Sequence, residues 1–361
     1  FRLTFVPRLH ETEAKRVMSA ENSRSEALLP LRNLWNSVKC SRDRVRDGES
    51  NDSSGTFSLA NFWEILNEAV KAVSQEATKL SLMFSKPPLP SDEDCAKMGE
   101  CVQKSVLTLC TVYFWLPKSQ GVTLRRSVRD ATAEVLEGLV QLLDVILSSP
   151  GQSVSQEQLT STGSVWAACD HFDQIPKDNR SAVLAVLSSC VGLVKDALEE
   201  MQQALAESQD PFGDVLDDDD DDEGGRGNQD RYWSASDRQL IGQCEGLLKA
   251  SAASLRKLSS AVRHNAQLET EQEIAQLDDL ADAAAHVSPC VDDLALSLYP
   301  PVDRAAVEQN VCRLAAVLKK LLDITRSSHV CAEADVSWVE FLSGAVEHNL
   351  EKVRSLLRSD S

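Results

Sequence analysis

Apolar side chains recur every three or four residues through most of this chain, which is the spacing of one face of an α-helix. The pattern is clearest between residues 58 and 84, where Ser58 precedes the run in the position of an N-cap. It predicts further helices capped by Ser91, Thr123 and Ser236, while the alternating pattern of β-strands is nearly absent. The sequence therefore predicts an all-α protein whose short loops favour antiparallel helical bundles.

The helical pattern stops between residues 208 and 231. Residues 217–223 are seven consecutive acids, and a Gly-Gly-Arg-Gly stretch follows them. Like charges at this spacing repel each other, and the segment has too few apolar side chains to offset the entropy of ordering it. We predict a disordered acidic connector between an N-terminal bundle, residues 23–207, and a C-terminal bundle, residues 232–358. Residues 1–22 are interpreted as a disordered leader.

Charge and cysteine usage narrow the classes of function. The formal net charge of −19 would repel phosphate backbones, so direct nucleic-acid binding is not expected. The ten cysteines include no C-x-x-C pair, and several occupy apolar helix positions, which is typical of reduced, buried thiols. No apolar run approaches the roughly 18 residues of a membrane span. We expect an intracellular protein that does not bind membranes.

One motif suggests an enzyme. Asp278, Asp279 and Asp282 form a D-D-x-x-D run, which in some all-α synthases holds Mg²⁺ against a substrate diphosphate. That chemistry also needs a second ligand helix and basic residues for the diphosphate, and the sequence shows neither. We interpret the run as a solvated acidic face, keep a Mg²⁺-dependent diphosphate-binding enzyme as the alternative, and predict no catalytic residues, metal or cofactor.

Two short, proline-bounded segments are candidates for partner binding. An amphipathic helix of a partner can dock in an apolar strip that a bundle leaves uncovered. Trp166 in one segment, and Leu294 and Leu298 in the other, are the candidate anchors, with core packing as the competing interpretation. Ser234 lies three residues before Asp237 and beside the acidic connector, which suits an acidophilic kinase. It is the candidate phosphorylation site, unless it simply caps a helix.

Several longer strings are specific to one family. They are residues 61–63 (NFW), 74–78 (SQEAT), 84–91 (FSKPPLPS), 116–118 (LPK), 120–125 (QGVTLR), 164–169 (SVWAAC), 174–179 (QIPKDN) and 288–301 (SPCVDDLALSLYPP). Together they closely resemble the cyclin-D-binding protein 1 family, also called Grap-and-cyclin-D-interacting protein or maternal Id-like molecule. The match covers about residues 58 to 357.

The resemblance implies an all-helical protein of two bundles, similar to talin- and vinculin-type modules. It also implies a non-enzymatic negative regulator of cell-cycle progression, present in cytoplasm and nucleus. The implied partners are D-type cyclin, helix-loop-helix transcription factors that it inhibits, and a Grb-type adaptor. A talin-like cytoskeletal linker is a further alternative, although the sequence has no strongly basic terminal helix for an acidic filament.

Overall fold

The computed structural model describes residues 28–48, 57–148, 154–207 and 233–359. Throughout these ranges the regular structure consists of α-helices and two short 3₁₀ turns, without a β-strand, so the predicted all-α fold is confirmed. The predicted leader, residues 1–22, and the predicted connector, residues 208–231, lie outside the described residues. The described chain divides into two compact units.

The first unit comprises residues 28–118 and 125–177. Within it α2 packs against α3 and α5, and α1 packs against α3. Each helix buries an apolar stripe, with Leu66 and Leu80 of α2 and Leu109 and Tyr113 of α3 fully enclosed. The helices are α1 (Leu29–Asp47), α2 (Leu59–Met83), α3 (Asp92–Trp115), α4 (Val122–Ser148) and α5 (Gln156–His171).

The second unit comprises residues 119–124 and 178–359. Its helices enclose one large apolar cluster, to which α6, α7, α8, α9, α10 and α11 all contribute. The helices are α6 (Asn179–Glu207), α7 (Ala235–Asn265), α8 (Glu271–Ala285), α9 (Val287–Ser297), α10 (Arg304–Ser327) and α11 (Val336–Ser359).

The first residues of the helices show which sequence signals predicted a helix N-terminus correctly. Ser58 and Ser91 accept backbone N–H bonds at the starts of α2 and α3, as predicted. The predicted cap Ser236 lies inside α7, because Ser234 begins this helix through a capping box with Asp237. Thr123 also lies inside its helix, because α4 begins at Val122.

The position of α6 differs from the predicted domain division. We predicted residues 23–207 as one bundle, which would place α6 in the N-terminal half. Instead Val183, Leu187 and Val194 of α6 are buried in the same cluster as Leu247 and Leu255 of α7. The apolar face of α6 is covered by the second unit, so the first unit ends at residue 177.

The helix α6 also corrects the expectation about membrane spans. By length and composition alone, residues Asn179–Ala206 are long and apolar enough to cross a membrane. The predicted absence of any such segment was therefore wrong. Core helices pass the same test, and the apolar stripe of α6 is part of the core of the second unit.

The cysteines are free thiols, and most lie in the two cores. Burial raises the pKa of Cys110 to about 11 and the pKa of both Cys169 and Cys244 to about 12. These thiols are protonated at neutral pH and pack as small apolar side chains. Cys40 and Cys101 are exposed.

Candidate partner-binding surfaces

Asp278, the first residue of the D-D-x-x-D run, is a helix cap in this structure. Its Oδ2 accepts a hydrogen bond from the backbone N–H of Val122 at 2.7 Å, and its Oδ1 accepts from the N–H and hydroxyl of Thr123 at 2.9 and 2.7 Å. Asn179 Nδ2 donates to the same Oδ1 at 3.0 Å. The carboxylate satisfies N–H groups that the start of α4 leaves without intrahelical partners. It therefore performs the capping role that we predicted for Thr123.

The turn before α4 is built around the same network. Asn179 Oδ1 accepts a hydrogen bond from the N–H of Leu124 at 3.0 Å. Gly121 has φ +110°, and a Cβ there would lie 2.0 Å from Asn179 Cγ. Only glycine fits at this position, for steric and conformational reasons alike.

This arrangement leaves the aspartate run unsuited to a metal. Both oxygens of Asp278 are engaged, while Asp279 and Asp282 lie exposed on the outer side of α8. Of the other nearby acids, Asp293 pairs with Arg313 at 2.9 Å. Over the described ranges, no group of three or more His, Cys, Asp or Glu side chains could hold a metal ion.

Two of the three predicted anchors are core residues. Leu294 and Leu298 are 0% exposed and belong to the apolar cluster of the second unit. The carbonyl oxygen of Leu298 also accepts a hydrogen bond from Trp233 Nε1 at 2.7 Å. Neither side chain is available to a partner, because α9 turns its apolar face inward. The competing interpretation, core packing, describes both residues.

Trp166 is the predicted anchor that reaches the surface. It lies on α5, and 44% of its surface is exposed. Its Nε1 donates a hydrogen bond to Thr78 Oγ1 on α2 at 2.9 Å, which fixes the ring over the α2–α5 interface. The segment that carries it is longer than predicted, because α5 begins at Gln156 and extends over four turns.

Trp166 belongs to an exposed apolar surface formed by α2 and α5. Leu159, Gly163 and Trp166 recur at spacings of four and three, so they share one face of α5. Apart from the backbone of its own helix and its two chain neighbours, no atom lies within 4 Å of the position that a Cβ of Gly163 would occupy, so the space beside Gly163 is open. Leu82 of α2 is exposed and lies one turn after Thr78, which accepts the hydrogen bond from Trp166. The residues before Leu82 and Leu159, Ser81 and Gln158, are hydrogen-bonded to each other, so the two leucines lie at the same end of the two helices. We call Leu82, Leu159, Gly163 and Trp166 the Trp166 surface.

A second exposed apolar site lies between α2 and α3, and sequence reasoning missed it. Leu107 and Trp115 of α3 are each 47% exposed and line a groove of about 510 Å³ with Ile65 of α2. We call it the Trp115 groove; its other lining residues are Glu100, Gln103, Lys104, Thr108, Thr111 and Val112. Two large apolar residues away from the inward stripe of α3 were the signal that could have identified it.

Ser234 is exposed at the start of α7. Its Oγ donates to Asp237 Oδ2 at 2.6 Å and accepts from the N–H of Asp237 at 3.1 Å. Its backbone N–H donates to the same carboxylate at 3.0 Å, which completes the capping box. Ser234 is therefore the N-cap of α7, and its phosphorylation stays a prediction.

Comparison with known proteins agrees with the family strings. A family model described as Grap2 and cyclin-D-interacting, N-terminal, matches residues 65–207, and the C-terminal model of the same description matches residues 216–323. A Cyclin-D1-binding protein 1 homolog of Xenopus laevis is 51% identical over 327 residues, which cover 91% of this chain and 98% of that protein. Cyclin-D1-binding protein 1 of Homo sapiens is 41% identical over 341 residues, and that of Bos taurus 42% over 340. Each alignment covers 91% of this chain and 94% of the relative. The chain belongs to the Grap2 and cyclin-D-interacting family.

Proposed function

We propose that this protein is a non-enzymatic regulator that binds D-type cyclin and restrains cell-cycle progression. The relatives described above are named for binding cyclin D1, and they align with this chain over nearly their whole length. The D-D-x-x-D run, which suggested an enzyme, is consistent with a non-enzymatic role. Both carboxylate oxygens of its first residue, Asp278, are engaged in capping α4.

The observation that carries the binding mode is the Trp166 surface. Tryptophan is among the residues that most often dominate the binding energy of protein interfaces, and Trp166 is held in place while 44% of its surface stays exposed. The hydrogen bond from Trp166 to Thr78 reduces the entropy that the indole would lose on binding. We propose that cyclin covers Leu82, Leu159 and Trp166.

The same proposal extends to the other implied partners. We propose that helix-loop-helix transcription factors and a Grb-type adaptor also bind this protein, in the cytoplasm and the nucleus. Inhibition would follow from occupation of the partner's own binding surface. The net charge of −19 supports an indirect effect on transcription, since the chain would be repelled by DNA.

Calorimetric titration of D-type cyclin into the full-length chain tests the proposal. We expect Trp166→Ser to weaken binding at least tenfold, or about 1.4 kcal/mol, because it removes a central aromatic anchor. Phe341→Ser is the matched control, since Phe341 on α11 is 73% exposed and outside the surface. It should bind within about twofold of the unmodified protein.

The outcomes separate the function from the surface. Absence of cyclin binding by the unmodified chain would refute the proposed function. Equal binding by the unmodified protein and the Trp166→Ser variant would leave the function intact and move the site elsewhere. Thermal unfolding of each variant is measured in parallel, so that loss of fold is not mistaken for loss of an anchor.

A further inference from the structure

We propose that the Trp115 groove is a second docking site, which takes one amphipathic α-helix of another protein. It is formed mainly by α3, with Ile65 of α2 at its side, whereas the Trp166 surface is formed by α2 and α5. The inference goes beyond the proposed function and does not depend on it. Three properties of the groove support the inference: its apolar character, its length, and two opposite charges at one end that do not pair with each other.

The groove is more apolar than its sequence suggests. Thr108 Oγ1 donates to the carbonyl of Lys104 at 2.8 Å, and Thr111 Oγ1 donates to the carbonyl of Leu107 at 2.7 Å. Both hydroxyls are satisfied within α3, so the methyl groups are the part of each threonine left for a ligand. With Leu107 and Trp115 each half exposed, covering the groove would remove a substantial apolar area from water.

The length of the groove suits a helix. Lys104, Leu107, Thr111 and Trp115 follow one another at spacings of three or four, so they form one stripe along α3. At about 1.5 Å per residue the stripe is about 16 Å long, or about three helical turns. An amphipathic helix that presents apolar side chains at i, i+4, i+7 and i+11 covers this distance, and such helices bind in hydrophobic grooves.

The charges at one end specify the chemistry of the occupant. Glu100 and Lys104 are spaced i, i+4, in the order that favours an ion pair within a helix. Glu93 and Lys97, about two turns earlier, form that pair at 2.7 Å. Glu100 and Lys104 form no ion pair with any residue that the structure describes, although both line the groove. We infer that the occupant carries a carboxylate opposite Lys104 and a basic side chain opposite Glu100.

The test uses two fluorescent helical peptides and the full-length protein. Each peptide is about 16 residues long, is locked as a helix by a side-chain crosslink and presents leucines at i, i+4, i+7 and i+11. One peptide carries glutamate at the position that faces Lys104, and the other carries lysine there. Fluorescence anisotropy measures their affinities.

We expect the glutamate peptide to bind about threefold more tightly, since exposed ion pairs are weak. The Lys104→Glu variant should reverse this preference. Leu107→Ala and Trp115→Ala should each weaken binding at least tenfold. Their controls, Leu296→Ala and Phe341→Ala, remove large apolar side chains outside the groove that are more exposed, 70% and 73%, and should bind like the unmodified protein.

Several results would overturn the inference. Binding of neither peptide, equal binding of a scrambled peptide, or equal losses in groove and control variants would each contradict helix docking. An unchanged preference in Lys104→Glu would show that the charge pair does not recognise the ligand. Groove-dependent self-association in sedimentation equilibrium would identify a second copy of this chain as the occupant instead.

Discussion

At the scale of single residues, one buried carboxylate fixes where α4 begins. Asp278 accepts hydrogen bonds from the first N–H groups of this helix, together with one from the Thr123 hydroxyl. A helix cap typically contributes about 0.5–2 kcal/mol. This acceptor comes from a residue 155 positions later in the chain, so the local pattern around Thr123 could not reveal it.

Replacement of Asp278 by alanine should destabilise the protein by about 2–3 kcal/mol, because it leaves several buried donors without acceptors. Equilibrium denaturation with urea measures this loss. Asp279→Ala is the matched control, since this neighbour is exposed, and its effect should stay within about 0.5 kcal/mol. Equal losses from the two substitutions would contradict the capping role.

His329 makes stability depend on pH. Its Nε2 accepts from the N–H of Gln267 at 3.2 Å, and its Nδ1 lies 2.8 Å from Gln276 Oε1, so these contacts need the neutral ring with its proton on Nδ1. Burial lowers the pKa of His329 from its usual 6.5, and this effect is larger than the opposite effect of the negative charge of Glu273, which raises the pKa. In the folded state the ring therefore resists protonation more than it does in the unfolded chain.

The contribution of neutral His329 to the free energy of unfolding should be complete above pH 6.5. It should decrease as the pH falls from 6.5 to the lower pKa of the folded state, because in this range the unfolded state takes up the proton and the folded state does not. We expect His329→Gln, which cannot titrate, to lose less stability than the unmodified protein over this range. Urea denaturation at a series of pH values gives both curves. Parallel curves would show that His329 does not titrate differently on folding.

At the scale of elements, the periodicity of apolar residues identified the helices, but it did not show for every helix which residues are buried. Ser58 and Ser91 begin helices as predicted, because each signal lies within four residues of what it caps. The Thr270–Glu273 capping box begins α8 in the same local way. Cys101 is exposed on α3, although cysteines at apolar helix positions are expected to be buried. Gly99 is buried there instead, close to the Pro30 carbonyl of α1, and a pattern of apolar residues does not register glycine.

The start of α7 supports a prediction about modification. An acidophilic kinase should phosphorylate Ser234, because Asp237 lies three residues after it. Modification should be slower in the folded chain than in a peptide of the same sequence, since the capping box holds the hydroxyl at 2.6 Å from Asp237. Mass spectrometry follows the incorporation of phosphate.

Ser234→Ala should abolish this phosphorylation, and it should cost about 1 kcal/mol of stability as a lost cap. Ser236→Ala, two residues later and also exposed, is the control and should be modified like the unmodified protein. Phosphate on Ser236, or equal rates in folded chain and peptide, would argue against the assignment.

At the scale of the whole molecule, the acidic run suggested a division that the packing does not follow. The sequence pattern placed the boundary after residue 207, and the N-terminal family model also ends there. The compact units instead divide after residue 177, because Val183, Leu187 and Val194 are buried with the helices that follow. Periodicity showed that α6 has an apolar face, but it could not show which helices cover that face.

The candidate sites were predictable to a similar extent. Trp166 was identified from its place in a short, proline-bounded segment, and it is exposed. Leu294 and Leu298 came from the same argument and are buried, since exposure depends on tertiary neighbours that the sequence does not display. The Trp115 groove was missed because Leu107 and Trp115 lie away from the inward stripe of α3, and the sequence pattern does not show whether a neighbouring helix covers them.

Hydrogen exchange of this chain with and without bound D-type cyclin tests whether cyclin binds the Trp166 surface. We expect slower exchange on binding at α5, residues 156–171, and at the end of α2 near Leu82, with little change in α7 to α11. Protection confined to the second unit, or identical exchange with and without cyclin, would contradict the claim that cyclin binds the Trp166 surface.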